Sequence, residues 1–112
     1  MTLPHAKSGE IVKLNAFATE LRDAHTTALV KNEKFEAIRL IVHAGSEIQS
    51  HQVGEMFTLQ CLEGRVRLVL ADGHKELSAG QWIYFNGGVA HSVEGIEDSS
   101  LLLTILFDDS HQ

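Results

Sequence analysis

The sequence predicts an all-β domain, an antiparallel sandwich or barrel. Short apolar or alternating runs are repeatedly interrupted by glycine and asparagine, and no long helical pattern is present. The chain has 112 residues, of which 44% are hydrophobic, so it is long enough to form one compact domain with a buried core. We therefore expect a single domain over residues 1–112, with the barrel core over about residues 26–107 and an N-terminal arm over residues 1–25.

The first half of the chain is predicted to contain the arm and a hairpin. Val12–Leu21 has a weak helical spacing of apolar residues, which indicates a short helix or an irregular arm. Two runs rich in β-branched and apolar residues follow, Thr26–Lys31 and Phe35–Val42. The Asn32-Glu33 step between them is predicted to form a tight turn.

The middle of the chain predicts two further strands. Met56–Leu62 is the first, and the turn residues Glu63-Gly64 separate it from Arg65–Ala71. Side chains alternate across a strand, so three residues of the first run share one face: Phe57, Leu59 and Cys61. By the same alternation, Arg65 and Arg67 are expected to point outward.

The last third of the chain repeats this pattern. Asp72-Gly73 is the strongest hairpin signal, because both central positions of such a turn need positive φ. Gly80 precedes a run at Gln81–Phe85, and two more runs follow at Val89–Val93 and Ser100–Phe107. About eight or nine short strands are expected in all, and seven of them are located by these runs.

Composition excludes several functional classes. Nine Lys and Arg face fifteen Asp and Glu, a net charge of −6, which argues against nucleic-acid binding through a basic surface. The apolar runs are too short to cross a membrane. Cys61 is the only cysteine and no secretory signal is recognisable at the start, so no internal disulfide forms and a cytoplasmic location is expected.

Seven histidines are many for so short a chain and suggest a chemical role for some of them. Four of them have no informative position and are predicted to be solvated: His5, His25, His74 and His111. His51 and His91 are different, because each falls within a glycine pattern that is known from a family of metal-binding barrels.

The sequence resembles the cupin superfamily, in particular its small single-domain, RmlC-like members. The first family motif is G-x5-H-x-H-x3-E-x6-G and the second is G-x5-P-x-G-x2-H-x3-N. All four of their glycines and two of their three histidines are matched here, by Gly45, His51, Gly64, Gly80, Gly88 and His91. The resemblance covers roughly residues 35–107. It implies an antiparallel jelly-roll β-barrel, also called a double-stranded β-helix.

The departures from the motifs bear on function. The family holds Fe, Mn, Ni or Zn with three His and one Glu, but Val53 stands at the second histidine and Phe57 at the glutamate. His51 and His91 alone would be a poor chelate, because catalytic metal sites generally keep three protein ligands. The resemblance therefore implies a degraded metal site. A divalent metal would require a third ligand, and Glu55 or His43 are the candidates.

The resulting functional expectation is a protein that binds a small organic molecule in a largely apolar pocket. The predicted lining is His51, Val53, Phe57, Leu59, Tyr84 and His91, with Trp82 as a further candidate. At least two of the aromatic residues on the strand before the second motif are expected in the core: Trp82, Tyr84 and Phe85.

Two other classes of function stay open. One is an enzyme of the oxygenase or isomerase type, which uses His51 and His91 with a third ligand, or a metal-free enzyme in which a histidine is the general base. The other is a non-catalytic sensing or structural module. In each case we expect a homodimer, because exposed sheet edges need to be covered. We expect no nucleic-acid partner and no membrane partner.

Overall fold

The computed structural model describes residues 5–49, 54–88 and 91–107. Within these ranges the chain forms two antiparallel sheets, which confirms the all-β jelly-roll prediction. Sheet A has five strands in the order β1-β2-β9-β4-β7, and sheet B has four in the order β3-β8-β5-β6. The strands are β1 (Thr27–Lys31), β2 (Phe35–Val42), β3 (Glu47–Gln49), β4 (Met56–Glu63), β5 (Arg65–Leu70), β6 (Gly73–Ser78), β7 (Trp82–Phe85), β8 (His91–Gly95) and β9 (Ser99–Leu106).

The inner faces of the two sheets form one hydrophobic core. Phe57, Leu59 and Cys61 all point inward from β4 and are at most 1% exposed, as their alternation predicts. They pack with inward residues of the other strands, among them Leu68 and Leu101. Burial of these side chains is the main source of stability.

Gly64 carries the chain from sheet A to sheet B in a single residue. Its φ is +87°, and a Cβ at this position would collide with the backbone of Asp98 and Ser99, so only glycine fits. The Ser99 hydroxyl accepts a hydrogen bond from the Arg65 backbone N–H at 2.9 Å. The crossover is therefore fastened to the start of β9.

The N-terminal arm packs on the outer face of sheet A. From residue 5 onward its regular element is a 3-10 helix, Ala18–Asp23, which begins later than the predicted Val12–Leu21. Leu21 is its buried residue. The Ala6 N–H donates to the Leu29 carbonyl at 2.8 Å, so the arm also covers part of the β1 edge.

A buried arginine fastens the arm. The Arg39 guanidinium lies 4.0 Å from the centroid of the Phe17 ring, donates from Nε to the Ser100 hydroxyl at 2.8 Å and donates to the Asn15 carbonyl at 2.6 Å. The Glu63 carboxylate accepts the Phe17 N–H at 2.8 and 2.9 Å. Burial lowers the pKa of Arg39, and the nearby Glu63 charge opposes that shift.

Two strands fall outside the predicted runs. β3 has only three residues, too few for an alternating pattern to be visible. β6 is exposed along most of its length, and its sequence Gly73–Ser78 lacks the apolar content of a half-buried strand. No helix within the described ranges is long and apolar enough to cross a membrane.

Candidate functional site

The site is built around His91, which begins β8. Its ring stacks on Phe57 with centroids 4.8 Å apart and lies 5.7 Å from the Phe85 centroid. Phe57 and Phe85 are register partners on β4 and β7, with ring centroids 5.2 Å apart. Three neighbouring aromatic rings therefore close one end of the barrel interior.

A shallow depression of about 330 Å³ opens beside His91 at the rim of sheet B. It lies where β3, β5 and β8 are neighbours. Its lining combines apolar side chains with a carboxylate, an amide, a hydroxyl and an imidazole: Glu47, Gln49, Val69, Leu70, Ala71, His91 and Ser92. Three apolar and four polar side chains therefore border the depression, and polar groups that converge beside apolar contacts are typical of small-molecule sites.

Glu55 lies in the bend just before β4, two residues from Phe57. It lines a different depression, of about 440 Å³, together with Met56, Asn86 and Phe107. That depression shares no lining residue with the one beside His91. Glu55 and His91 therefore face separate openings.

The backbone of His43 lies at the other end of β8 from His91. Its carbonyl approaches Gly95 so closely that a Cβ there would collide with it, which places His43 beside the far end of β8. The four residue steps from His91 to Gly95 span about 13 Å of extended strand. The backbone of His43 is thus separated from that of His91 by the length of β8, and a metal site that uses His43 stays a prediction.

Tyr84 does not line the barrel interior. It pairs with Thr58 on the outer face of sheet A and is 53% exposed, and Trp82 is 58% exposed on the same face. The prediction that at least two of the three aromatic residues on β7 are buried was wrong, since Phe85 is the one that points inward. The alternation of β7 puts Ile83 and Phe85 inside and Trp82 and Tyr84 outside.

Two predicted site residues, His51 and Val53, lie outside the described residues. Of the other predicted lining residues, Phe57 and Leu59 belong to the buried core, and His91 borders the depression. Sequence reasoning missed Glu47, Gln49 and Ser92. The alternation of Glu47 and Gln49 about the inward Ile48 was the available signal, but β3 is too short to stand out.

The described residues do not fit the metal that the family motifs imply. They contain no group of three His, Cys, Asp or Glu side chains that could hold an ion. Phe57, at the position of the family's glutamate, is 1% exposed and presents a hydrocarbon ring to His91. A phenyl ring can neither ligate a cation nor compensate its charge.

Cys61 is a core residue, as its apolar strand face predicts. It is fully buried, and burial raises the pKa of its thiol to about 11. A thiol that stays protonated at neutral pH is a poor nucleophile. Cys61 is therefore excluded as a catalytic group.

Comparison with solved structures assigns the architecture. A cupin superfamily protein from Desulfitobacterium hafniense superposes with a TM-score of 0.70 at 14% identity, covering 74% of this chain and 76% of that one. An RmlC-like cupin with a double-stranded β-helix fold from Methanocaldococcus jannaschii gives 0.68 at 20% identity, covering 88% and 93%. A conserved protein of unknown function from Streptococcus pyogenes gives 0.77 at 18% identity, covering 96% and 98%.

No family model and no curated protein matches the sequence. The structural likeness is consistent across these neighbours and spans most of the chain. The class is therefore that of the RmlC-like double-stranded β-helix barrels. The chain has the cupin fold.

Proposed function

We propose that this protein binds a small organic molecule at the rim of the barrel beside His91, without a metal of the usual cupin kind. The observation that carries the proposal is the stacking of His91 on the buried Phe57 ring at 4.8 Å. This contact gives the histidine an aromatic neighbour at the place where the family motif has a metal-ligating carboxylate.

The surroundings of His91 suit an organic ligand. Val69, Leu70 and Ala71 offer apolar contact, and Glu47 and Gln49 offer hydrogen-bonding groups across the same depression. Its volume of about 330 Å³ is at the lower end of the range for small-molecule sites. We expect a ligand with an apolar body. One of its groups should form a hydrogen bond with the His91 imidazole, and a hydrogen-bond donor should face the Glu47 carboxylate.

The experiment is a thermal-shift screen of metabolites, followed by calorimetric titration of each compound that raises the melting temperature. The decisive variant is His91→Phe, which keeps a ring against Phe57 and Phe85 but removes the polar anchor. We expect affinity to fall about tenfold or more, the effect of losing one hydrogen bond to a buried ligand group. His74→Phe, at an exposed position on β6, is the control and should leave affinity unchanged.

Glu47→Gln and Gln49→Ala test the remainder of the lining. Each should weaken binding without lowering the melting temperature of the free protein, because both residues are exposed. The proposal fails if no compound binds. It also fails if binding persists unchanged in His91→Phe, since the ligand would then lie elsewhere.

Metal content gives an independent test. We expect less than stoichiometric Fe, Mn, Ni or Zn by elemental analysis of untagged protein, and no rise in melting temperature when these metals are added. The double variant Val53→His, Phe57→Glu restores the ligand types of the family motif and should gain a metal-dependent rise in melting temperature. One tightly bound metal per chain in the unaltered protein would overturn the metal-free assignment, whether or not the double variant folds.

A further inference from the structure

The depression beside Glu55, of about 440 Å³, lies at the end of sheet A where β4 begins and β7 and β9 end. Among the described residues that line it, Glu55 supplies the one charged side chain and Asn86 supplies an amide. The other side chains are apolar: Met56, Leu106 and Phe107. This depression has no lining residue in common with the one beside His91, so it is independent of the function proposed above.

The Glu55 carboxylate has an unused capacity to accept hydrogen bonds. Its residue is half-buried, and it makes no hydrogen bond or ion pair with another residue of the described ranges. Glu63 and Glu94 are also half-buried, but the first accepts the Phe17 N–H at 2.8 Å and the second pairs with Arg67 at 3.6 Å. Partial loss of water without a partner is unfavourable for a carboxylate, and a ligand that donates hydrogen bonds would relieve it.

A close contact between two backbone segments fixes the position of Glu55. A Cβ at Gly87 would collide with the Gly54 carbonyl and press on the Glu55 backbone, so the loop after β7 lies directly against the bend before β4. Only glycine permits this approach. The contact brings Glu55 and Asn86, which are distant in sequence, to the same depression.

We propose that this depression binds a small organic cation, a primary ammonium group carried on a hydrocarbon chain. The ammonium donates hydrogen bonds to the Glu55 carboxylate and to the Asn86 amide oxygen, and the charge on both partners strengthens the first of these. The hydrocarbon chain lies against the apolar side chains, of which Met56 is 41% and Leu106 is 37% exposed and so both gain by burial. The net charge of −6 favours the approach of a cation.

The composition of the lining distinguishes this ligand from other cations. Quaternary ammonium groups are held in cages of several aromatic rings, whereas Phe107 is the single ring that the described lining offers. Calcium takes six to eight oxygen ligands, and one carboxylate with one amide is far from that number. A primary ammonium needs only a few acceptors beside an apolar surface, which the depression provides.

The N-terminal arm leaves this end of sheet A open. Its attachment to β4 is Glu63, the last residue of the strand, whereas Met56 is the first. The seven residue steps between them span about 23 Å of extended strand. No described residue of the arm lines the depression.

Nuclear magnetic resonance of the methionine methyl groups tests the proposal. The chain has two methionines, Met1 and Met56, so the Met56 methyl signal is identified by its loss in Met56→Leu. Titration with hexylamine at neutral pH should shift this signal until it saturates. Hexanol and hexanoate have the same chain without the positive charge, and each should bind about tenfold more weakly or less, the effect of losing a charge-assisted hydrogen bond.

Glu55→Gln is the decisive variant, since it keeps the shape of the side chain and removes its charge. The dissociation constant for hexylamine should rise about tenfold or more, and the melting temperature of the free protein should not fall, because the carboxylate has no partner in the described chain. Glu20→Gln, at an exposed position of the 3-10 helix, makes the same change of charge and should leave binding unaltered.

Three results would overturn the proposal. The first is the absence of a saturable shift at Met56, and the second is equal binding of hexanol and hexylamine. The third is binding that persists in Glu55→Gln but is lost in Glu47→Gln, since the amine would then lie beside His91.

Discussion

The outer faces of the two sheets carry different kinds of interaction. Sheet A is covered in part by the arm, which is held by buried Arg39 and by the Glu63 carboxylate, and its uncovered part is apolar. Sheet B carries a layer of ion pairs in which Arg65 and Arg67 face Glu76, with N–O distances of 3.7 and 4.0 Å. The Nε atoms of both arginines make no hydrogen bond within the described part of the chain.

The outer faces of sheet A and sheet B therefore differ in how they interact with water. The charged side chains on sheet B are 40–59% exposed, so solvent screens their attraction and a partner would have to desolvate them. The contacts on sheet A are short and shielded, and the exposed residues beside them gain by being covered. We infer that the ion-paired part of sheet B keeps its outer face in solvent, whereas sheet A organises contacts with other segments.

Loss of Arg39 is the largest expected effect. Arg39→Ala should lower the free energy of unfolding by about 3 kcal/mol, because it removes the cation that Phe17 covers and leaves the Ser100 hydroxyl and the Asn15 carbonyl without their donor. Urea denaturation measures the loss. Arg39→Met retains most of the packing, so a smaller loss in this control separates the hydrogen bonds from the volume.

Cys61, in the core beneath sheet A, should make the free energy of unfolding fall at alkaline pH. The pKa of the Cys61 thiol is raised to about 11 in the fold from an ordinary value of 9.0. Between these values the unfolded chain releases a proton that the folded chain retains, so stability is complete below pH 9 and falls towards pH 11, by about 2 kcal/mol. Urea denaturation of Cys61→Ala should lack this part of the pH dependence; an identical pH profile would contradict it.

Glu63→Gln tests the second attachment of the arm. The amide keeps the shape of the side chain but loses the charge that strengthens the bonds from the Phe17 N–H. We expect a loss of about 1.5 kcal/mol and faster proteolysis before residue 24. Unchanged cleavage of the arm would show that Arg39 alone holds it.

Arg67→Gln on sheet B should change stability least, by less than about 1 kcal/mol. Its ion pairs are 3.6 and 4.0 Å long and its side chain is 42% exposed. The difference between variant and wild type should shrink further in high salt, because added ions screen exposed ion pairs. A loss as large as that of Glu63→Gln would remove the contrast between the two faces.

The strand pattern was predictable wherever one side of a strand is buried. The Phe35–Val42 run was predicted at its exact bounds, and the inward positions Phe57 and Leu59 followed from alternation. The two motif histidines identified a cupin barrel although no other comparison of sequence detects it. Glycine spacing carries this information because tight crossovers such as Gly64 exclude every other residue.

The residues that line the site were harder to predict from the sequence, because the lining depends on which strands become neighbours in the fold. His43 was a candidate third ligand beside His91, but its backbone lies at the other end of β8. Tyr84 and Phe85 are adjacent in sequence and lie on opposite sides of a sheet. The contribution of Glu47 required the pairing of β3 with β8, a contact between residues more than forty positions apart.

The position of β9 bears on how the protein is made. It follows every other described strand in the chain but lies between β2 and β4, so neither of these strands has its partner until residues 99–106 have been synthesised. Until then sheet A is two separate fragments with open apolar edges. Completion of the barrel is therefore delayed until β9 has emerged, and a ribosome that stalls before residue 99 leaves a nascent chain with exposed apolar strand edges.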